Sequence, residues 1–253
     1  MDYIFDGSYR GYLCCVFEAF ERKEFDALPT TDHRVVVNIF SQKRQITSDA
    51  QKAERIIRGM EKIIGKEYLI LFYHNFLADN QADWTNGFRL LIELFKHRKM
   101  NMLDYGRPDI LRLHQTVKKV SRERHRMKAF IRFIKSNDNL YTALIEPDFN
   151  VLPLIIKFFK NRYADQQWLI FDIRRNYGFH YDCYSVQEVF QTQHQEIRDP
   201  YDLEVDLDPK EKEFQQLWKT YFKSTNIESR QNLKLHLKHV PKRYWKYLVE
   251  KDH

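Results

Sequence analysis

Apolar residues recur every three or four positions through most of the first 120 residues, and this spacing predicts amphipathic helices. The strongest case follows Ser48, whose hydroxyl is a good N-cap and which precedes a long apolar stripe. The predicted helices run over residues 8–22, 48–64, 67–78, 86–98 and 108–120. Two short β-branched or aromatic runs also predict strands. Tyr3–Phe5 lies before the first helix, and Val35–Phe40 lies between the first two helices.

The pattern changes to strict alternation over Met127–Lys135, which predicts a strand. A turn cluster at 137–139 and a second apolar run over 140–145 predict a hairpin. A helix is expected over 150–163, and two further strands over 168–173 and 179–184. The sequence therefore predicts an α+β fold, in which mainly helical N- and C-terminal parts surround a small antiparallel sheet of β-β-α-β-β order.

An acidic stretch divides the sheet-forming part from the C-terminus. Asp199–Glu213 holds seven acids and two lysines, with two prolines as breakers, and is typical of a solvated linker. Helices are expected after it over 210–224 and 229–239, with a last short one from Pro241. The predicted organisation is 1–120, 121–198, the linker 199–213 and 214–253, and one compact domain overall is the alternative.

The positive charge of the chain is concentrated. Arg112–Lys135 carries nine bases and one acid, a charge of +8 in a chain whose total is +7. Lys219–Lys246 carries eight bases and one acid, for +7, so the rest of the chain sums to −8. Concentrated basic patches are the electrostatic signature of proteins that bind a phosphate backbone.

Composition and absent motifs exclude several classes of protein. The apolar content of 43% argues against bulk disorder. The N-terminus resembles no secretory signal, and the most apolar window, Tyr68–Ala78, is too short to span a bilayer, so we expect a cytoplasmic protein without membrane contact. Cys14 and Cys15 are expected in the core, and no disulfide is implied for them or for Cys183. Phosphate-loop, zinc and iron–sulfur motifs are absent, so we expect no metal and no cofactor.

Ten bases are the candidate nucleic-acid contacts. On the predicted strand, Lys128 and Arg132 share a face with Phe130 between them, an arrangement suited to tracking phosphates and stacking a base. The alternative is that Phe130 belongs to the core and the bases form a solvated face. The candidates are Arg122, Arg124, Arg126, Lys128, Arg132, Lys135, Arg174, Arg175, Lys242 and Arg243.

Two residues are weak catalytic candidates. His125 is open to three roles: general base, phosphate contact or structural histidine. Glu146 follows a predicted strand, where a carboxylate can bind a metal or transfer a proton. Asp148 is better placed to cap the helix that follows it. Acids, lysines and histidines are numerous enough to form a nuclease site, but no spacing marks one.

Local sequence blocks along most of the chain, from Tyr3 to Tyr247, resemble a bacterial family described as probable DNA metabolism proteins. The blocks are Tyr3-x-Phe5-Asp6-Gly7, Glu123-x-His125-Arg126-Met127-Lys128-Ala129-Phe130, Ile145-Glu146-Pro147-Asp148, Leu217-Trp218-x-x-Tyr221-Phe222-x-Ser224, Asn232-Leu233 and Pro241-x-Arg243-Tyr244-Trp245. The resemblance implies a C-terminal domain of unknown function and a gene neighbour that encodes a radical-SAM protein. In some members the domain is fused to a uracil-DNA-glycosylase-like domain.

The resemblance and the charge together lead to one expected function and two alternatives. We expect a DNA-binding accessory protein in bacterial DNA repair or base modification, which presents damaged or single-stranded DNA to a radical-SAM partner. A uracil-DNA-glycosylase-like protein is the second candidate partner. The first alternative is a DNA-processing enzyme, glycosylase-like or nuclease-like, that uses Glu146 or His125. The second is a scaffold whose basic surface binds an acidic protein.

Overall fold

The computed structural model describes residues 1–34, 42–190, 208–225 and 240–248. Helices and small sheets are mixed along the chain, which confirms the α+β class. Tertiary contacts divide the chain into two compact units, Met1–Arg122 and Glu123–His253. In the described residues, no helix is both long enough and apolar enough to cross a membrane.

The first unit combines a small parallel sheet with helices. The central strand β1 pairs in parallel with β2 on one side and with β3 on the other. Cys14 and Cys15 are buried on the first helix, as expected. The elements are β1 (Asp2–Ile4), α1 (Tyr9–Arg22), β2 (Leu28–Thr30), β3 (Lys43–Gln45), α2 (Ala50–Ile64), α3 (Lys66–Phe76) and α4 (Gln81–His97).

Helix caps set the starts of α1 and α2. The Ser8 hydroxyl accepts a hydrogen bond from the Gly11 amide, as the sequence predicted. The second cap is Asp49, which accepts from the Lys52 amide, so the helix begins one residue later than a Ser48 cap would place it. Ser48 donates instead to the carboxylate of Asp6.

The prediction of a strand over Met127–Lys135 is wrong. Helix α5 runs from Pro108 to Phe130, ten residues beyond the predicted end, and only Ile134–Lys135 forms a strand, β4. The buried positions of α5 recur at helical spacing, although Thr116 and Glu123 occupy two of them and interrupt the apolar pattern. These positions are Ile110, Leu113, Thr116, Val120, Glu123 and Met127.

The sheet of the second unit is mixed rather than antiparallel. Strand β5 (Tyr141–Ile145) pairs antiparallel with β4, forming the predicted hairpin, but pairs in parallel with β6 (Trp168–Asp172). Helix α6 (Leu152–Arg162) provides the crossover that a parallel pair requires. Strands β7 (Tyr177–Tyr181) and β8 (Val186–Phe190) then continue antiparallel, so the order is β4-β5-β6-β7-β8.

Several predicted segments lie wholly or partly outside the described residues. These are the strand Val35–Phe40, residues 199–207 of the acidic linker and the helix over 229–239. In the described part of the linker, Asp208 pairs with Lys135 at 2.9 Å. Helix α7 follows over Glu211–Thr225, and Lys242–Tyr247 forms a short 3₁₀ helix.

The contact between α1 and the Asp6 carboxylate requires a glycine at position 11. A Cβ at Gly11 would lie 2.4 Å from Asp6 Oδ1 and 2.7 Å from Ser48 Oγ, and Asp6 is held there by hydrogen bonds from Ser8 and Ser48. We therefore expect Gly11→Ala to lower the free energy of unfolding by about 1–3 kcal/mol, despite the better helix propensity of alanine. Chemical denaturation measures this change.

The matched control is Gly106→Ala, because the nearest atom to its added Cβ is the Asp104 side chain at 3.2 Å. We expect the control to change stability by less than about 0.5 kcal/mol. An equal or greater stability of Gly11→Ala than wild type would contradict the packing described.

Candidate functional site

Glu123 is an acid at a core position of α5. Its side chain is 1% exposed, and three hydrogen-bond donors reach the carboxylate. Arg243 Nη2 lies 3.1 Å from Oε2, the Tyr244 hydroxyl donates to Oε1, and the Asp148 amide donates to Oε1 over 3.0 Å. A buried carboxylate is tolerated when it is both paired and hydrogen-bonded, and these contacts satisfy both conditions.

Asp148 has a different role from the helix cap that the sequence predicted. The N-cap of α6 is Val151, and no side chain caps this helix. The Asp148 carboxylate instead lies 2.8 Å from Arg243 Nη2. Arg243 therefore bridges Asp148 and the buried Glu123, which ties the C-terminal 3₁₀ helix to both α5 and the loop after β5.

A second buried acid lies at the end of β6. Asp172 is fully buried and pairs with Arg175 at 2.7 Å, while its Oδ1 accepts a hydrogen bond from the Arg174 amide. Burial raises the pKa of Asp172, although Arg175 opposes the shift. Arg175 also donates to the carbonyl oxygens of Pro147 and Asp148, so it joins the parallel strands β5 and β6 at their carboxyl ends.

Glu146, the weak catalytic candidate, is held by the C-terminal segment. It lies 2.5 Å from Lys246 Nζ and accepts a hydrogen bond from the Tyr247 hydroxyl over 3.0 Å. The hydrogen bond from Lys246 lowers the pKa of Glu146, against the opposing effect of partial burial. The carboxylate is therefore ionised at neutral pH and is not a proton donor there.

Three sequence blocks that are distant along the chain meet at these contacts. Glu123 is the first residue of the block that ends at Phe130, and Asp148 is the last residue of the block that begins at Ile145. Arg243 and Tyr244 belong to the block that begins at Pro241. The roles of Glu123 and Tyr244 were not predicted from the sequence. The one signal in the sequence was that Glu123 is the single acid among the nine bases of Arg112–Lys135. It was used only to count charge.

Half of the ten predicted nucleic-acid contacts have partners within the protein. Arg126 is 3.8 Å from Glu123, and Lys135 pairs with Asp208. Arg132 donates to the Ala129 carbonyl and lies 5.5 Å from the Trp218 ring. The other two, Arg175 and Arg243, hold the buried acids described above.

The other five form no ion pair with the described residues. Arg122 is exposed and Arg124 is half-buried, both on α5. Lys128 lies 4.9 Å from the Phe158 ring, and Lys242 is exposed 6.0 Å from the Trp245 ring. The exposed Arg174 reaches the Asp148 carbonyl at 3.5 Å.

The predicted stack of Phe130 between two cations does not form, because Phe130 belongs to a helix. Its ring is half-buried and packs 5.4 Å from the ring of Tyr244. The alternative assignment of Phe130 to the core is therefore the better description.

The exposed side of α5 forms a basic stripe, which we define as Lys118, Lys119, Arg122 and His125. All four side chains are exposed, and their spacing of three or four residues places them on one helix face. None of the four forms an ion pair with a described residue. Lys118 and Lys119 were counted in the charged segment, but this face could not be identified from the sequence, because the predicted helix ended at residue 120, before Arg122 and His125.

Metal binding has no support from the described ranges. Among these residues no group of three or more histidines, cysteines, aspartates or glutamates is arranged to hold a metal ion.

A family model matches a large part of the chain. Residues 81–250, more than half of the chain, match the family model of a domain of unknown function, DUF4130. Neither a curated protein nor a solved structure matches the chain.

The burial of Glu123 makes Tyr244 a stabilising partner. We expect Tyr244→Phe to lower the free energy of unfolding by about 1–3 kcal/mol, because it leaves one oxygen of a buried carboxylate without its hydroxyl donor. The control Lys246→Gln removes an exposed ion pair and should cost about 0–1 kcal/mol.

A double-mutant cycle isolates the contact itself. Denaturation of Glu123→Gln, Tyr244→Phe and the double variant should give a coupling energy of about 0.5–3 kcal/mol. Strictly additive effects would contradict the contact.

Proposed function

This chain belongs to the family of the domain of unknown function DUF4130, and we propose that it is a DNA-binding accessory protein in bacterial DNA repair or base modification. The observation that supports the proposal is the basic stripe on α5. Its four exposed side chains form no ion pair with an acid within the described residues, so the charges of Lys118, Lys119 and Arg122 are available to a polyanion.

The distribution of charge favours a phosphate backbone as the ligand. A helix that presents bases at successive turns along one face meets a regular array of negative charges, and each contact releases a counterion from the nucleic acid. The paired bases have a different role, since Arg175 and Arg243 satisfy buried carboxylates. Affinity in this proposal comes from the stripe, and the paired bases maintain the structure of the second unit.

The pathway is proposed from the family resemblance. The probable DNA metabolism proteins that the sequence resembles are encoded beside a radical-SAM protein. Some of them are fused to a uracil-DNA-glycosylase-like domain. We propose that the chain presents damaged or locally single-stranded DNA to such a partner. Phe130 packs against Tyr244 and is therefore not proposed to stack on a base. The preference for single- or double-stranded DNA is measured in the binding experiment below.

Charge reversal on the stripe tests the proposal. We expect Lys119→Glu/Arg122→Glu to weaken DNA binding and to reduce the slope of log K against log salt by about 2, since each lost phosphate contact removes about one unit. Electrophoretic mobility shift across a salt series, with single- and double-stranded oligonucleotides of one sequence, measures both quantities.

The matched control is Lys62→Glu/Lys66→Glu, which changes the net charge equally at exposed positions of α2 and α3. It should bind DNA like the wild type. An equal loss in both double variants would show that only net charge matters, and the absence of DNA binding at low salt would exclude the proposal. A partner protein recovered by pulldown after nuclease treatment, without DNA binding, would favour an acidic protein as ligand.

A further inference from the structure

The first unit contains an apolar pocket between α1, α2 and α3. None of the ten predicted nucleic-acid contacts lines this pocket. Its volume is about 180 Å³. Met60 is 1% exposed, whereas Ile70 is 47% exposed. The lining residues are Tyr9, Ile57, Met60, Leu69, Ile70 and Tyr73.

The helix on one side of the pocket has an unusual composition for a surface element. After Glu67, helix α3 has no charged aspartate, glutamate, lysine or arginine, and its histidine, His74, is buried. Large apolar groups that remain exposed beside a concave pocket are typical of ligand-binding surfaces.

Two tyrosines supply the polar atoms among the lining side chains. The rings of Tyr9 and Tyr73 lie 5.0 Å apart at an interplanar angle of 60°. Neither phenolic hydroxyl has a hydrogen-bond partner in the part of the chain that the structure describes. Burial raises the pKa of both groups, so both hydroxyls remain protonated and available as donors at neutral pH.

We propose that this pocket binds one pyrimidine base, with its ring between the apolar walls and a carbonyl oxygen at its edge accepting a hydrogen bond from Tyr9 or Tyr73. The inference rests on the proposed function, because a nucleic acid supplies such a base.

Size and polarity select this class of ligand. An apolar cavity of about 150 Å³ holds one benzene ring, so the pocket can enclose one six-membered ring, and the second ring of a purine would extend out of it into solvent. A purely hydrocarbon ring would leave both hydroxyls without partners, whereas a pyrimidine has carbonyl oxygens at its edge.

Saturation-transfer NMR with thymidine tests the proposal, with adenosine as the two-ring comparator and toluene as the apolar one. We expect the wild type to bind thymidine more tightly than either comparator. Tyr9→Phe and Tyr73→Phe keep the shape of the pocket and remove one hydroxyl each. The variant that loses the hydrogen-bonding hydroxyl should bind thymidine about tenfold less tightly than the wild type. Tyr68→Phe, on α3 but outside the pocket lining, is the matched control and should bind like the wild type.

A pocket-filling variant provides a second test. Ile70→Trp should abolish thymidine binding while its circular dichroism spectrum stays that of the wild type. Equal binding by both phenylalanine variants and the wild type, or preference for toluene or adenosine, would overturn the proposal. Comparing thymidine with a short oligothymidylate then shows whether the pocket takes a free nucleoside or a base within a strand.

The outcomes separate this inference from the proposed function. Steeply salt-dependent DNA binding without saturation transfer to thymidine would reject the pocket and leave the proposed function intact. Thymidine binding without any DNA binding would reject the proposed function and identify the pocket as a nucleoside site. Lys119→Glu/Arg122→Glu should retain thymidine binding, because neither residue lines the pocket.

Discussion

The buried carboxylate of Glu123 is the constraint on which the second unit depends. A side-chain carboxyl group at 1% exposure requires hydrogen-bond donors around it, and the donor that α5 itself supplies is Arg126, 3.8 Å away. The nearer donors come from residues 25, 120 and 121 positions away in sequence. One acid, Glu123, therefore holds together the C-terminal part of α5, the loop after β5 and the C-terminal 3₁₀ helix. The Asp172–Arg175 pair joins strands β5 and β6.

Local physics predicted most of the helices and strands, and it failed where tertiary contacts override the local pattern. Helix α1 and its Ser8 cap follow directly from residue type and spacing. The second half of α5 does not, because Glu123 occupies a core position that helical periodicity expects to be apolar. The parallel pairing of β5 with β6 was missed for a related reason: alternation identifies a strand but not the direction of its neighbour.

The candidate site shows a further limit of sequence reasoning. Charge density identified the basic segment, but the sequence cannot show which bases are neutralised by acids that are distant along the chain. Arg243 was expected to face DNA, yet it contacts Glu123 and Asp148. Lys118 and Lys119, in contrast, are exposed on the same helix face as Arg122, and only the helical geometry of α5 reveals this arrangement.

The internal pairing of the bases has a consequence for how affinity can change during evolution. Lys135 is neutralised by Asp208, and Arg243 is shared between Glu123 and Asp148. Replacing the exposed Asp148 or the half-buried Asp208 would release positive charge without adding any base. Substitution of an acid can therefore increase the positive charge at the surface of this chain, even where no base is added.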